Sequence, residues 1–180
     1  MELKEKTIGS KRLYEGRTIN LRVDTVELPD GNSATREIVE HPGAVSILPI
    51  LEDGTVILVN QFRAPINRIT LEIPAGKLEP GEPSEHCAAR ELAEETGYMA
   101  GKLDHRGTFF TTPGFSDEIM YLYIGSELKP VDSRPDFDEF LTVEKVKLEE
   151  LVKMAEQGEI IDAKTLVGIY TAARSFLPGR

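Results

Sequence analysis

Three glutamates in the stretch AARELAEETG, Glu91, Glu94 and Glu95, fall at i, i+3 and i+4. On a helix that spacing sets neighbouring Cβ atoms about 5–6 Å apart on one face, where like charges weaken the helix by roughly 0.2–0.5 kcal/mol per pair. The preceding loop, AGKLEPGEP, adds Glu79 and Glu82 from a turn shaped by glycine and proline, and Arg90 stands directly before the cluster. By itself such a run reads as a solvated charged face. Three features favour a site. A loop folded back over the helix can deliver Glu82 to the same face, Arg90 can orient a carboxylate through a bidentate pair, and Gly97 stops the helix at once. Converging carboxylate oxygens suit Mg²⁺ or Mn²⁺, which take oxygen ligands and keep waters. A bound cation converts the repulsion into shared attraction.

The elements that must position these groups are readable from the pattern. Residues 7–14, 19–28 and 34–40 read as strands, with Pro29-Asp30-Gly31-Asn32 as a turn between the last two, which suggests a small antiparallel sheet. His41-Pro42-Gly43 punctuates the chain, so residues 1–42 are expected as an N-terminal β-sheet region and 43–180 as the main domain. AVSILPIL (44–51) and TVILVNQFR (55–63), joined by Glu52-Asp53-Gly54, predict a hairpin, and ITLEIPAG (69–76) predicts a strand running into a loop. The spacing predicts a helix from Pro83 or Ser84 to Gly97 with Ala88 and Leu92 buried. Strands are expected near 102–111, 118–125 and 139–147. A helix over 148–157 stops at Gly158. Another, capped by Asp162, runs to about Phe176 with Leu166, Ile169, Tyr170 and Ala173 on one face. Mixed strands with a few helices point to an α+β sandwich.

Composition narrows the partners. The chain has 180 residues and a formal net charge of −10, the wrong sign for a nucleic-acid-binding surface. No apolar run reaches the roughly 18–20 residues of a membrane span, and no apolar signal core opens the chain, so a cytoplasmic protein with no membrane partner is expected. The single cysteine, Cys87, reads as a small buried residue of the helix. The histidines at 41, 86 and 105 have no zinc-type spacing.

Residues 76–98, GKLEPGEPSEHCAARELAEETGY, resemble the Nudix box of the Nudix hydrolases. Gly76, Glu82, Arg90, Glu91, Leu92, Glu94, Glu95 and Gly97 stand at the fixed positions, and Tyr98 replaces the usual final aliphatic residue. The resemblance implies an α/β/α sandwich around a mixed sheet and hydrolysis of a nucleoside diphosphate linked to another group. It implies that Glu91 and Glu95 bind metal, that Glu94 assists, and that Arg90 supports these glutamates. Glu82 would join the metal shell or hold the loop, and the Ala75 carbonyl would be a further ligand. About two to three Mg²⁺ ions, with Mn²⁺ as an alternative, would bridge this acidic site to an anionic pyrophosphate.

Pro113, 15 positions after Tyr98, together with LEIPAGKLE, TPGFSDE and DAKTL, is similar to the ADP-ribose pyrophosphatase branch. That likeness implies ADP-ribose as substrate and a homodimer whose N-terminal sheets exchange. It implies that Arg63 contacts the phosphates, that Arg36 binds substrate across the dimer, and that Glu37 reads the adenine edge. Pro113, Gly114 and Glu118 would lie along the terminal ribose. Glu139, in the loop SRPDFDEFLTVE, matches a metal-binding and catalytic member, so Glu91, Glu94 and Glu139 are the catalytic candidates. Relatives often place a second glutamate where this chain has Phe137, which leaves Asp136, Asp138, Glu118, a box glutamate or metal alone to activate the water. The alternatives are hydrolysis of another nucleoside diphosphate sugar, such as GDP-mannose, and a non-catalytic ADP-ribose binding module.

Overall fold

The computed structural model describes residues 3–132 and 140–177, which fall into two compact units. The first comprises residues 1–43 with 109–119, and the second residues 44–108 with 120–180.

In the first unit β1 (Lys6–Glu15), β2 (Asn20–Glu27) and β3 (Ser33–Glu40) form an antiparallel meander. The turn before β3 is set by Asp30, whose carboxylate accepts from the Asn32 backbone N–H at 3.0 Å, and by Gly31 at φ 84°. A charge network crosses the sheet. Asp24, 4% exposed, accepts from Ser10 Oγ and Arg22 Nε, while Arg12 and Arg22 both meet Glu40. The segment 109–119 adds itself to the free edge of β3. Val39 N–H donates to the Phe115 carbonyl at 2.8 Å, and Asp117 N–H to the Val39 carbonyl at 3.2 Å.

The second unit is built on β4 (Ala44–Pro49), buried at every residue. Its edges are both taken, by β7 (Ala75–Lys77) running antiparallel and by β9 (Ile119–Pro130) running parallel, with β8 (Tyr98–Phe110) beyond β9. A second sheet places β5 (Thr55–Arg63) between β10 (Leu141–Lys147) and β6 (Arg68–Glu72), all antiparallel. Successive side chains of a strand face opposite ways, so β4 packs on two sides. Val45 and Ile47 meet Cys87, Ala88 and Leu92 of α1 (Ser84–Thr96). On the other side Leu48 lies under Gly168 of α3 (Ala163–Phe176), and α2 (Leu148–Glu156) packs on α3. The result is an α+β sandwich with a mixed sheet and a small N-terminal antiparallel sheet.

Three expectations are corrected. The β4–β5 hairpin exists at its tip alone, where Ile50 bridges Val56. Beyond the tip the two strands enter different sheets, because β7 and β9 leave β4 no free edge. The expected strand over 69–76 splits at Pro74, which has no N–H to continue a ladder. Residues before it pair with β5 and residues after it with β4, and the Pro74 carbonyl accepts from Ile47 N–H at 2.9 Å. On α3, Tyr170 is exposed, and the buried stripe is Thr165, Gly168, Ile169, Ala172 and Ala173. Small residues let α3 approach closely, so an added Cβ at Gly168 would stand 2.9 Å from Ile73 Cδ1.

A buried ionic cluster ties the second sheet to α3. Glu72, 2% exposed, accepts from Arg63 Nε at 2.8 Å, Arg63 Nη2 at 2.6 Å, Thr70 Oγ1 at 2.5 Å and Lys164 Nζ. Burial pushes its carboxyl up, but Arg63 and Lys164 outweigh burial and bring it down to about 2. A depressed carboxyl contributes stability above its unfolded value near 4.5 and loses it as pH falls through the folded value. Urea unfolding of wild type and Glu72→Gln is therefore expected to differ at neutral pH by on the order of 3 kcal/mol. That gap should close between about pH 4.5 and pH 2.

Candidate active site

α1 carries Glu91 and Glu95 on its buried side because Ala88 and Leu92, both fully buried, fix which face meets β4, while Glu94 stays partly exposed. Pro83 starts the helix, and Gly97, at φ 69°, ends it with its N–H donating to the Ala93 carbonyl at 3.0 Å. Glu91 and Glu95 are then 9% and 3% exposed. Carboxylates so placed require partners, since an unpaired buried charge costs several kcal/mol.

The partners come from β7 and from Arg90. Ala75 N–H donates to Glu95 Oε2 at 3.1 Å. Gly76 lies against Glu91 so closely that a Cβ there would stand 1.9 Å from the carboxylate carbon. The two carboxylates thus meet adjacent residues of one short strand. Arg90 gathers the rest. Its Nε and Nη2 fork Glu82 at 3.1 and 3.0 Å, and its Nη1 donates to Glu91 at 2.8 Å and Glu94 at 3.1 Å. Arg90 holds the Glu82 carboxyl down at about 2, against the opposing effect of burial, and Glu82 in turn raises the Arg90 pKa. The Glu79 N–H also donates to Glu82, at 3.1 Å, which closes the loop over the helix.

The donor chemistry fits a hard divalent cation: carboxylate oxygens, a carbonyl-bearing strand, and a glycine without which Glu91 has no room. Among the described residues no three such side chains already converge into a ligand set. Glu139, expected as a further ligand, lies outside the described residues together with Asp136, Phe137 and Asp138. Cys87 is fully buried, with burial pushing its thiol up to about 12, and its sulfur donates to the Lys77 carbonyl at 3.3 Å. Tyr98, the departure from the box, has its hydroxyl bonded by Lys145 Nζ at 2.8 Å, with that ammonium 5.3 Å from the ring centre.

The remaining candidates divide between the units. Arg63 belongs to the second and is forked by Glu72. In the first unit Arg36 on β3 pairs with Glu5 and donates to the Thr35 carbonyl at 3.0 Å, and Glu37 is exposed. Pro113 and Gly114 lie in an exposed turn where Phe115 and Ser116 N–H groups donate to the Thr112 carbonyl at 3.2 and 3.0 Å. Glu118 accepts from Thr111 Oγ1, and its Oε1 lies 3.8 Å from His41 Nδ1. His41 Nδ1 accepts from Gly43 N–H at 3.1 Å, and Asp117 accepts from His41 N–H at 2.8 Å. Lys164, Thr70 and Glu72 were missed as a group. The available signal was a glutamate in the buried register of an otherwise apolar strand, TLEI.

Sequence comparison gives this geometry a family. The NUDIX domain profile matches residues 40–167, and the profile of the nucleoside diphosphate sugar hydrolase N-terminal domain matches residues 5–39. The chain is 48% identical over 169 residues to the ADP-ribose pyrophosphatase of Bacillus subtilis (strain 168), covering 93% of this chain and 91% of that one. It is 41% identical to the methanol dehydrogenase activator of Bacillus methanolicus, covering 92% and 90%. A crystal structure of an ADP compounds hydrolase, 22% identical, superposes with a TM-score of 0.86 over 99% of this chain and 97% of that one, which establishes the fold. Nudix hydrolases use a divalent metal such as Mg²⁺, and with Glu91 and Glu95 meeting β7 and the profile spanning most of its length, this chain belongs to the Nudix hydrolase family.

Proposed function

We propose that this protein hydrolyses ADP-ribose: water attacks one phosphorus, the bridging P–O bond breaks, and AMP and ribose 5-phosphate leave. The observation that carries the reading is the meeting of Glu91 and Glu95 at Gly76 and Ala75. The 48% identity to the Bacillus subtilis enzyme directs the choice of substrate. Glu91, Glu95 and the Ala75 carbonyl would hold the metal, with Glu139 and Glu82 as further candidates. A bound divalent ion neutralises phosphate charge and acidifies a coordinated water. About two to three Mg²⁺ ions, replaceable by Mn²⁺, suit a dianionic diphosphate entering a site this acidic.

The chain's own residues do the positioning. Arg90 holds Glu91 against β7 and fixes Glu94 through the same nitrogen, and Gly76 keeps the approach open. Arg63 would bind the phosphates, and Glu118, Pro113 and Gly114 would border the terminal ribose, with Arg36 and Glu37 contributing from a second subunit. A homodimer with exchanged N-terminal sheets is part of this reading. It is supported by β1, exposed at every residue, where Ile8, Leu13 and Tyr14 are 53%, 52% and 56% exposed.

Purified protein with Mg²⁺ is expected to release AMP and ribose 5-phosphate from ADP-ribose faster than it cleaves GDP-mannose or other nucleoside diphosphate sugars. Binding without turnover under varied Mg²⁺ and Mn²⁺ would instead make it a non-catalytic module. Glu91→Gln and Glu95→Gln are expected to lower kcat by at least about a hundredfold and to weaken Mg²⁺ affinity. Wild-type turnover in either would sink the metal assignment. Gly76→Ala should fold yet lose activity, because its new methyl group displaces Glu91. Sedimentation is expected to give twice the 20.0 kDa chain mass, and a monomer at micromolar concentration would refute the exchanged dimer.

A further inference from the structure

Behind Arg63 lies buried charge that the proposed chemistry does not use. Glu72 is 2% exposed and Lys164 8%. A buried ion pair seldom stabilises a fold more than apolar residues of the same volume would, so the cluster calls for another role.

Its geometry supplies one. Arg63 approaches Glu72 along a single edge, with Nε on Oε1 at 2.8 Å and Nη2 on Oε2 at 2.6 Å. A guanidinium carries five N–H groups. The fork takes two of them, and of the remaining three, one on Nη2 and one on Nη1 lie side by side on the outer edge, away from Glu72. That outer edge is itself a fork of the kind that grips a phosphate with two parallel bonds.

Glu72 cannot turn. Thr70 Oγ1 donates to Oε1 at 2.5 Å, and Lys164 Nζ donates to Oε2. Lys164 is anchored in turn by Asp162 at 3.0 Å, which also caps α3 by accepting from Thr165 N–H at 2.9 Å and Thr165 Oγ1 at 2.6 Å. The helix N-terminus thus fixes the lysine, the lysine fixes the glutamate, and the glutamate fixes the arginine. The charges of the cluster balance, Arg63 and Lys164 against Glu72 and Asp162, and Glu72 is shared between two cations rather than held by Arg63 alone. The fields of Asp162 and Glu95 add to those of Glu72 in raising the Arg63 pKa.

We propose that Glu72 and Lys164 are positioning residues of the active site, holding Arg63 so that its outer edge receives a phosphate of the nucleoside diphosphate sugar. The proposal rests on the reading of the site given above and on Arg63 as its phosphate ligand. It has a counterintuitive consequence. Removing a carboxylate near an anion site should tighten anion binding by simple electrostatics, whereas loss of this clamp should weaken it.

Arg63→Gln, Lys164→Met, Glu72→Gln and the Arg63→Gln/Lys164→Met double variant of the full chain test this. Each is assayed well below its melting temperature for KM and kcat with ADP-ribose and Mg²⁺. Calorimetry without divalent metal gives the Kd for ADP-ribose. Each single variant is expected to raise KM and Kd by about tenfold or more while kcat stays within about threefold, and the double variant should be no worse than Arg63→Gln alone. Unchanged KM and Kd in Arg63→Gln would overturn the phosphate role of Arg63 itself. If Arg63→Gln is impaired while Lys164→Met and Glu72→Gln bind like wild type, the positioning role is overturned. It is equally overturned if the Lys164→Met loss multiplies that of Arg63→Gln. Should one of the two positioning variants fail to fold, the other decides.

Discussion

The carboxylate of Glu91 fills the space that a side chain at position 76 would need. That contact requires α1 and β7 to lie closer together than two ordinary elements can, and the rest of the second unit is arranged to permit it. β7 is held by pairing with β4, and α1 is held by Ala88 and Leu92 against Val45 and Ile47 of the same strand. Both partners in the contact are therefore referenced to β4. Displacing the helix by a fraction of an ångström would either crush the carboxylate or open a gap at it, and close-packed interiors resist such shifts.

Arg90 solves a different problem. Three carboxylates, Glu82, Glu91 and Glu94, converge on one guanidinium, which has enough donors in a rigid plane to serve them all. A lysine would supply a point charge without the fork. The arginine also joins the loop to the helix, so the same bonds that offset repulsion decide where Glu82 sits. Folding of the loop and assembly of the site are in this sense one event.

Much of this was legible in advance. The spacing of Glu82, Arg90, Glu91, Glu94 and Glu95 announced that these side chains would meet, because helical periodicity brings residues three and four apart together and the loop returns Glu82 to Arg90. Pro83, Gly97 and Asp162 marked helix ends through local chemistry that needs no tertiary context. The break at Pro74 was local chemistry left unread, and the other failures were matters of tertiary context. Two apolar runs around Glu52-Asp53-Gly54 resemble a hairpin whether or not β4 has a free edge, and that depends on β7 and β9, distant in sequence. Tyr170 looked like a core residue by spacing, but the closeness of α3 to Ile73 and Leu48 selects the stripe centred on Gly168. The Glu72–Lys164 pairing joins residues far apart in the chain, and no local pattern announces it.

The break at Pro74 has a consequence for how this unit can vary. Upstream of it Glu72 grips Arg63 and Lys164; downstream Ala75 and Gly76 receive Glu95 and Glu91. The five-residue run from Glu72 to Gly76 is thus a spacer of fixed length between two differently anchored ends, one in each sheet. One residue more or fewer would throw both ends out of register together, since a strand reverses its faces with every residue. The tip around Asp53 and Gly54 is tied instead to Lys147 and Leu148, away from the glutamates of α1. A change in chain length at Pro74 would disturb both anchorages at once, so one of the shorter segments of the fold acts as its measuring rod.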